Sequence, residues 1–193
     1  MIISLDSGSE PYANHMQEAT EGGHYYIPYV QPRRGAVIGD EVYFTLRWGN
    51  AIVKYDWSRN FLSMINPQSP SNYNSCMALM VMEDSSLGVA CIKDSRLFLW
   101  SRKANSEGAT EWVQCRVIEL EKTIPVIDFD DEPCVVGSAE GVGVIFISSD
   151  VGLFAIELKS GKVRKLAGPG QYFSVLPYMS FYTPDMVHSA SIN

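Results

Sequence analysis

Few of the groups that carry catalysis are present in these 193 residues. There are three histidines, His15, His24 and His188, all in stretches without a hydrophobic period. No G-x-S-x-G elbow and no H-E-x-x-H pair occurs, so neither hydrolase-type nor metalloprotease chemistry has a foothold. The four cysteines, Cys76, Cys91, Cys115 and Cys134, are 15, 24 and 19 residues apart. None has the CxxC spacing of a zinc knuckle or a thioredoxin-like site, and they read as reduced, buried small hydrophobes. Cationic residues are also short: 15 Lys and Arg stand against 22 Asp and Glu, a formal charge of -7. A nucleic-acid binder would carry a basic stripe, so no nucleic-acid partner is expected. The longest apolar run, Cys76 to Met82, has seven residues, whereas a spanning helix needs about 20, so no membrane is expected. Met1 to Asp6 lacks the basic and apolar regions of a secretory signal, and no N-x-S/T acceptor occurs. The expected home is the cytoplasm or nucleus. No catalytic residue, cofactor or metal is assigned.

Strand formers are plentiful. Hydrophobic residues make up 46% of the chain, enough for a core. Residues 1–34 show no sustained period and read as an irregular segment with one short strand near Tyr25 to Val30. From Gly35, short apolar runs alternate with turns. Strands are predicted over 42–46, 51–57, 61–65, 76–82, 87–92, 96–100, 112–120, 134–137, 144–147, 152–158 and 162–166. Lys93-Asp94-Ser95 and Ser160-Gly161 read as hairpin turns, 103–111 as a polar loop, and 185–193 as a C-terminal tail. Residues 35–184 therefore form one domain.

Three groups share one layout. Their aligned strands are Ile52 to Asp56, Arg96 to Trp100 and Leu153 to Leu158. Tyr55 to Leu99 is 44 residues and Leu99 to Ile156 is 57. A period of 40 to 50 residues with four strands each marks propeller blades. A single four-stranded sheet cannot cover both faces, and stacking does so. The fold class predicted is all-β, a partial β-propeller-like domain of about three four-stranded blades. A β-sandwich satisfies the same alternation, and with it comes an alternative function, a module binding carbohydrate or another small ligand.

The ordered pieces Gly39-Asp40-Glu41-Val42-Tyr43-Phe44, Ile52-Val53-Lys54-Tyr55-Asp56, Leu62-Ser63-Met64-Ile65, Leu97-Phe98-Leu99-Trp100-Ser101, Val117-Ile118-Glu119-Leu120, Gly152-Leu153-Phe154-Ala155-Ile156-Glu157-Leu158 and Pro177-Tyr178-Met179-Ser180-Phe181-Tyr182 resemble the C-terminal F-box-associated region of plant F-box proteins, especially the grass families. The resemblance covers about residues 35 to 184. It implies a propeller-like domain that holds a target protein for a ubiquitin ligase, with no catalysis of its own. In that family an N-terminal F-box docks on the Skp adaptor of a cullin ligase. Residues 1–34 lack the Leu-Pro-rich F-box pattern. The expectation is a fragment of the family plan, reaching the Skp-cullin ligase only if an F-box lies upstream. The target protein itself is not specified.

The densest local charge is Asp128-Phe129-Asp130-Asp131-Glu132. Asp128, Asp130, Asp131 and Glu132 are candidate partner-binding residues on a solvated loop. Clustered carboxylates also suit calcium, although the spacing is not that of an EF-hand. Loops 103–111, 121–133 and 167–174 are the expected recognition loops. Lys159, Lys162, Arg164 and Lys165 read as a solvated edge strand guarded by charge. Gly137 to Gly143 reads as a turn between strands. Trp48, Tyr55, Trp57, Trp100 and Trp112 read as blade core.

Overall fold

The computed structural model describes residues 20–21, 24–25, 29–47, 51–67, 77–121, 123–124, 133–139 and 141–178, the side chains of 20–25 apart. All regular structure among them is β. A small ribbon pairs β1 (Thr20–Glu21) with β2 (His24–Tyr25). Three antiparallel sheets follow. The first joins β3 (Tyr29–Val30) and β4 (Ala36–Ile38) to opposite ends of one edge of β5 (Glu41–Arg47), then adds β6 (Ile52–Asp56) and β7 (Phe61–Ile65). The second is β8 (Ala78–Val81), β9 (Leu87–Lys93), β10 (Arg96–Ala104) and β11 (Thr110–Glu119), each strand pairing with the next. The third is β12 (Cys134–Ala139), β13 (Val144–Ser149), β14 (Gly152–Glu157) and β15 (Val163–Ala167), paired in the same way.

This is the expected layout. The aligned segments 52–56, 96–100 and 153–158 become β6, β10 and β14, the third strand of each sheet. Turn chemistry explains the hairpins. Asp94 and Ser95 both take positive φ, 49° and 57°, as a two-residue type I′ turn requires, and Lys93 pairs with Arg96 across it. The glycine-rich segment is a turn only in its second half: Gly137 to Ala139 belong to β12 and pair with β13, while Gly141 and Gly143 take positive φ in the turn.

Burial follows position in the stack. The middle sheet is covered on both faces, so β9 is buried from Leu87 to Ile92. Between the second and third sheets, Ala90, Ile92, Leu97 and Leu99 meet Val135, Ile145, Ile147, Phe154 and Ile156. Between the first and second, Ala36, Tyr43, Ile52 and Ile65 meet Met77, Leu79, Leu87 and Val89. The far face of the third sheet is covered by the chain itself. Tyr172 and Val175 pack on Val136, Phe146, Leu153 and Ala155, and the Val175 amide donates to the Val136 carbonyl at 2.8 Å. Covering both faces buries Gly152 to Ile156 without a break, as such strands read when no side faces water.

In the second and third sheets the last strand is the most exposed, and in the second two expectations are corrected. Cys91 is buried as predicted, but Cys115 is exposed. The reason is a bulge: Leu99 pairs with Arg116 and Trp100 with Gln114, leaving Cys115 as the extra residue. The bulge also breaks the alternation that Val113, Cys115 and Val117 suggest. Val113 pairs with Ser101 and Val117 with Phe98, three positions apart and so on opposite faces. A bulge on an open edge bends the strand and discourages foreign pairing. The polar loop is also shorter than predicted: β10 continues to Ala104 and β11 begins at Thr110. Asn105 closes the turn, its Oδ1 accepting from the Glu107 and Ala109 amides at 3.0 and 2.9 Å.

Candidate functional site

The starts of the second and third sheets meet at one side chain of the first. Arg33 follows Pro32 in the turn between β3 and β4. That turn is held from below by buried Gln31, whose amide donates to the Thr45 carbonyl at 2.9 Å and whose carbonyl accepts from the Arg33 amide at 2.7 Å. The half-buried Arg33 guanidinium then crosses to both other sheets. Nη1 donates to the carbonyls of Met77 at 3.2 Å and Val135 at 3.1 Å. Nη2 donates to Cys134 Sγ at 3.3 Å. Met77 immediately precedes β8, and Cys134 and Val135 open β12. One residue of the first sheet thus fixes where the second and third begin.

Strand direction decides what shares this end. In an antiparallel meander the first strand starts where the second ends, the third starts and the fourth ends. The turns Asp94-Ser95 and Asp150-Val151, and the exits of β11 and β15, therefore lie at the Arg33 end of the second and third sheets. The Leu120 amide ties the β11 exit to the Ser95 carbonyl at 2.8 Å. The segment after it is anchored by Ile124, buried in the core and bonded to the Leu120 carbonyl at 2.8 Å. Buried Pro133 leads into Cys134 at the other side of that loop.

The predicted recognition loops divide accordingly. Asp128, Asp130, Asp131 and Glu132 lie outside the described residues. The described flanks of loop 121–133 sit at the Arg33 end. Segment 167–174 leaves β15 at that end and turns back over the third sheet, where Tyr172 Oη donates to the Gly168 carbonyl at 2.9 Å. Loop 103–111 sits at the opposite end of its sheet, because it joins the third strand to the fourth. Arg33 itself carries no motif; an arginine between Pro32 and Gly35 reads as a solvated turn residue, and only the topology reveals its reach.

A second polar set lines the face of the first sheet that meets the second. Lys54 Nζ contacts Glu41 Oε1 at 2.6 Å, and Tyr43 Oη donates to Glu41 Oε2. The Lys54 hydrogen bond, then that of Tyr43, holds the Glu41 carboxyl below its ordinary value. Burial, then Glu41, pushes the Tyr43 phenol above its own. A carboxylate saturated by an ammonium and a phenol holds β5 to β6 and is poorly placed to move a substrate proton. Trp100 and Trp112 pack against the core here as expected, and Trp112 Nε1 donates to the Asn66 carbonyl at 3.3 Å. Trp57 departs from the expectation and stands 47% exposed in the turn after β6. Trp48 lies outside the described residues.

The far end is held by ion pairs. Asp84 accepts from Ser86 Oγ at 2.5 Å and from the Ser86 amide at 3.1 Å, and lies 3.2 Å from Lys103 Nζ. Those contacts, the Ser86 hydroxyl first, lower its pKa to about 2. A carboxyl depressed in the folded state stabilises above its unfolded value near 3.9, and that contribution is lost as pH falls toward 2. A carboxyl-carbon NMR titration should therefore place the Asp84 midpoint at about 2, and Ser86→Ala should raise it toward the unfolded value. An unmoved midpoint in Ser86→Ala would refute this assignment of cause. The basic patch reads as predicted: Lys162, Arg164 and Lys165 flank or occupy the outermost strand, exposed, and Lys159 reaches Glu83 at 3.1 Å.

Among the described residues no group of three or more His, Cys, Asp and Glu could hold a metal ion, and no helix is long and apolar enough to cross a membrane. Fold and site together define an all-β chain of three stacked antiparallel sheets, the first made four strands wide by β3 and β4 sharing one edge of β5 and the others four-stranded, propeller-like and open. No protein-family model and no curated protein matches this chain. Among solved structures it is similar to the extracellular domain of a protein described as a one component system, from B. thetaiotaomicron, with 14% identity and a TM-score of 0.38. The likeness covers 71% of this chain and 16% of that one.

Proposed function

We propose that the chain is a non-catalytic protein-recognition module of the F-box-associated kind, presenting its Arg33 end to a target protein. The observation that carries this reading is the convergence of two strand starts, those of β8 and β12, on Arg33 of the first sheet, which sets loops from different sheets on a common rigid base. Binding residues on loops over a rigid scaffold are a recurrent solution for recognition. The ordered resemblance of residues 35 to 184 to the plant F-box-associated region supplies the class. On that reading the chain works in the cytoplasm or nucleus. Coupling to a Skp-cullin ligase then requires an F-box upstream of these residues.

The test compares two ends of one molecule. The full chain is used to enrich partners from grass seedling extract, alongside a variant carrying Asp94→Lys and Glu121→Lys at the Arg33 end. A second variant replaces Ser106, Glu107 and Ala109 at the opposite end. A partner retained by wild type and the second variant but lost from the first is the expected result. A partner indifferent to both variants, or selective glycan-array binding with no protein partner, would overturn the proposal in favour of another surface or of the carbohydrate reading.

A further inference from the structure

Arg33 is fixed more firmly than a strand-connecting turn requires, and among the described residues no carboxylate pairs with its charge. A guanidinium has five N–H donors and no acceptor. Three bonds are made, two from Nη1 and one from Nη2, so two donors, Nε–H and one proton of Nη2, have no partner among the described residues. All three acceptors are neutral dipoles rather than carboxylates. A half-buried cation bonded only to carbonyls and a thiol keeps its full attraction for an anion. Its geometry is set in advance by two separate sheets, so a ligand need not order it on binding.

We propose that Arg33 is the anchor for a single carboxylate of a bound peptide, an inference that rests on the recognition reading above. The two remaining donors belong to one planar group, which suits the two oxygens of a carboxylate. Phosphate is the poorer match. A dianion doubles the repulsion from a chain of formal charge -7, since the Coulomb energy scales with each charge. Phosphate sites also commonly enlist further cations or several backbone amides, and among the described residues one guanidinium, that of Arg33, bridges the two strand starts. The carboxylate could belong to an Asp or Glu side chain or to a chain terminus; the shared chemistry is one planar monoanion.

The test reads Arg33 directly. In the full ¹⁵N-labelled chain the assigned Arg33 Nε–Hε signal is followed as acetate replaces chloride at constant ionic strength and pH 7. A saturable shift is expected at Arg33, with Arg34 and Arg47 moving much less. Phosphate should saturate no more tightly than acetate. A capped peptide with one glutamate, against an uncapped triglycine, then separates side-chain from terminal carboxylates. In Arg33→Lys, which keeps the charge but not the fork, the Met77 and Val135 amides should lose at least ten-fold in acetate affinity. A linear shift shared by all arginines, or phosphate binding ten-fold tighter than acetate, would overturn the inference. If Arg33→Lys does not fold, the wild-type titration decides alone. Saturable acetate binding with no protein partner removes the recognition reading only; a partner bound at this end with no acetate site removes this inference only.

Discussion

Leu97→Ala should cost about 3–5 kcal/mol of folding stability, the upper part of the range for a fully buried leucine. Leu97 is 0% exposed in the third strand of the middle sheet. It pairs with Ile92 on one side and Ile118 on the other, and shares its core with Ile145, Ile147 and Ile156 of the third sheet. Those neighbours come from two sheets held by continuous backbone hydrogen bonding, so they cannot close over the vacated volume, and the cavity persists. Urea denaturation should show a lower midpoint at an unchanged slope. Val117→Ala, in the same sheet but 39% exposed, should change stability by under about 1 kcal/mol. Equal losses at the two positions would mean that the second and third sheets do not pack as described.

The second large effect is expected at Gly152. Its φ is +141°, a backbone region that is essentially glycine-only. A Cβ there would lie 2.2 Å from the Ala167 carbonyl oxygen and 3.0 Å from Gly168 backbone atoms. Backbone cannot swing aside as a side chain can. Ala167 is also where β15 pairs with Leu153, next to a register shift. Gly152→Ala should therefore force β14 and β15 apart locally and cost about 3 kcal/mol or more, combining strain with lost ladder bonds. Gly161 is the control. Its φ is +71° with nothing within 4 Å of a built Cβ, so Gly161→Ala should cost only about 1–2 kcal/mol, the penalty of a left-handed residue. Thermal melts of the pair, with amide signals of β15 as the local reporter, check both. A Gly152→Ala protein as stable as Gly161→Ala would contradict the geometry.

Much of this architecture is legible in the residues. Gly, Asp, Asn and Ser at turns, with apolar runs between them, place nearly every strand of the three sheets. The equivalence of Ile52 to Asp56, Arg96 to Trp100 and Leu153 to Leu158 follows from their spacing alone. What escapes is whatever depends on a partner strand. The bulge that turns Cys115 outward is set by how Leu99 and Trp100 pair, and neither Cys115 nor its neighbours announces it. The extension of β10 through Lys103 and Ala104 is likewise made by cross-strand bonds to Glu111 and Thr110, against the polar character of both segments. The site is less legible than the fold. Arg33 gains its position from residues 44 and 102 places away in sequence, Met77 and Val135, and no local pattern encodes such a meeting. The acidic run is conspicuous in composition, yet composition alone does not say which surface it serves.

The linear order of the stack has a consequence for how the molecule comes apart. The first and third sheets each pack on the second, and Arg33 supplies a direct bond between them. Stability then resembles a row of three coupled units, where an end unit has one large interface to lose and the central unit two. Opening should start at the ends and spare the centre, giving a hierarchy rather than a single event. Amide hydrogens of β9 and β10 would exchange last, and those of β15 and β7 first. The same order means that a lesion at one end can leave a two-sheet remnant standing, while a lesion in the middle sheet takes both interfaces with it.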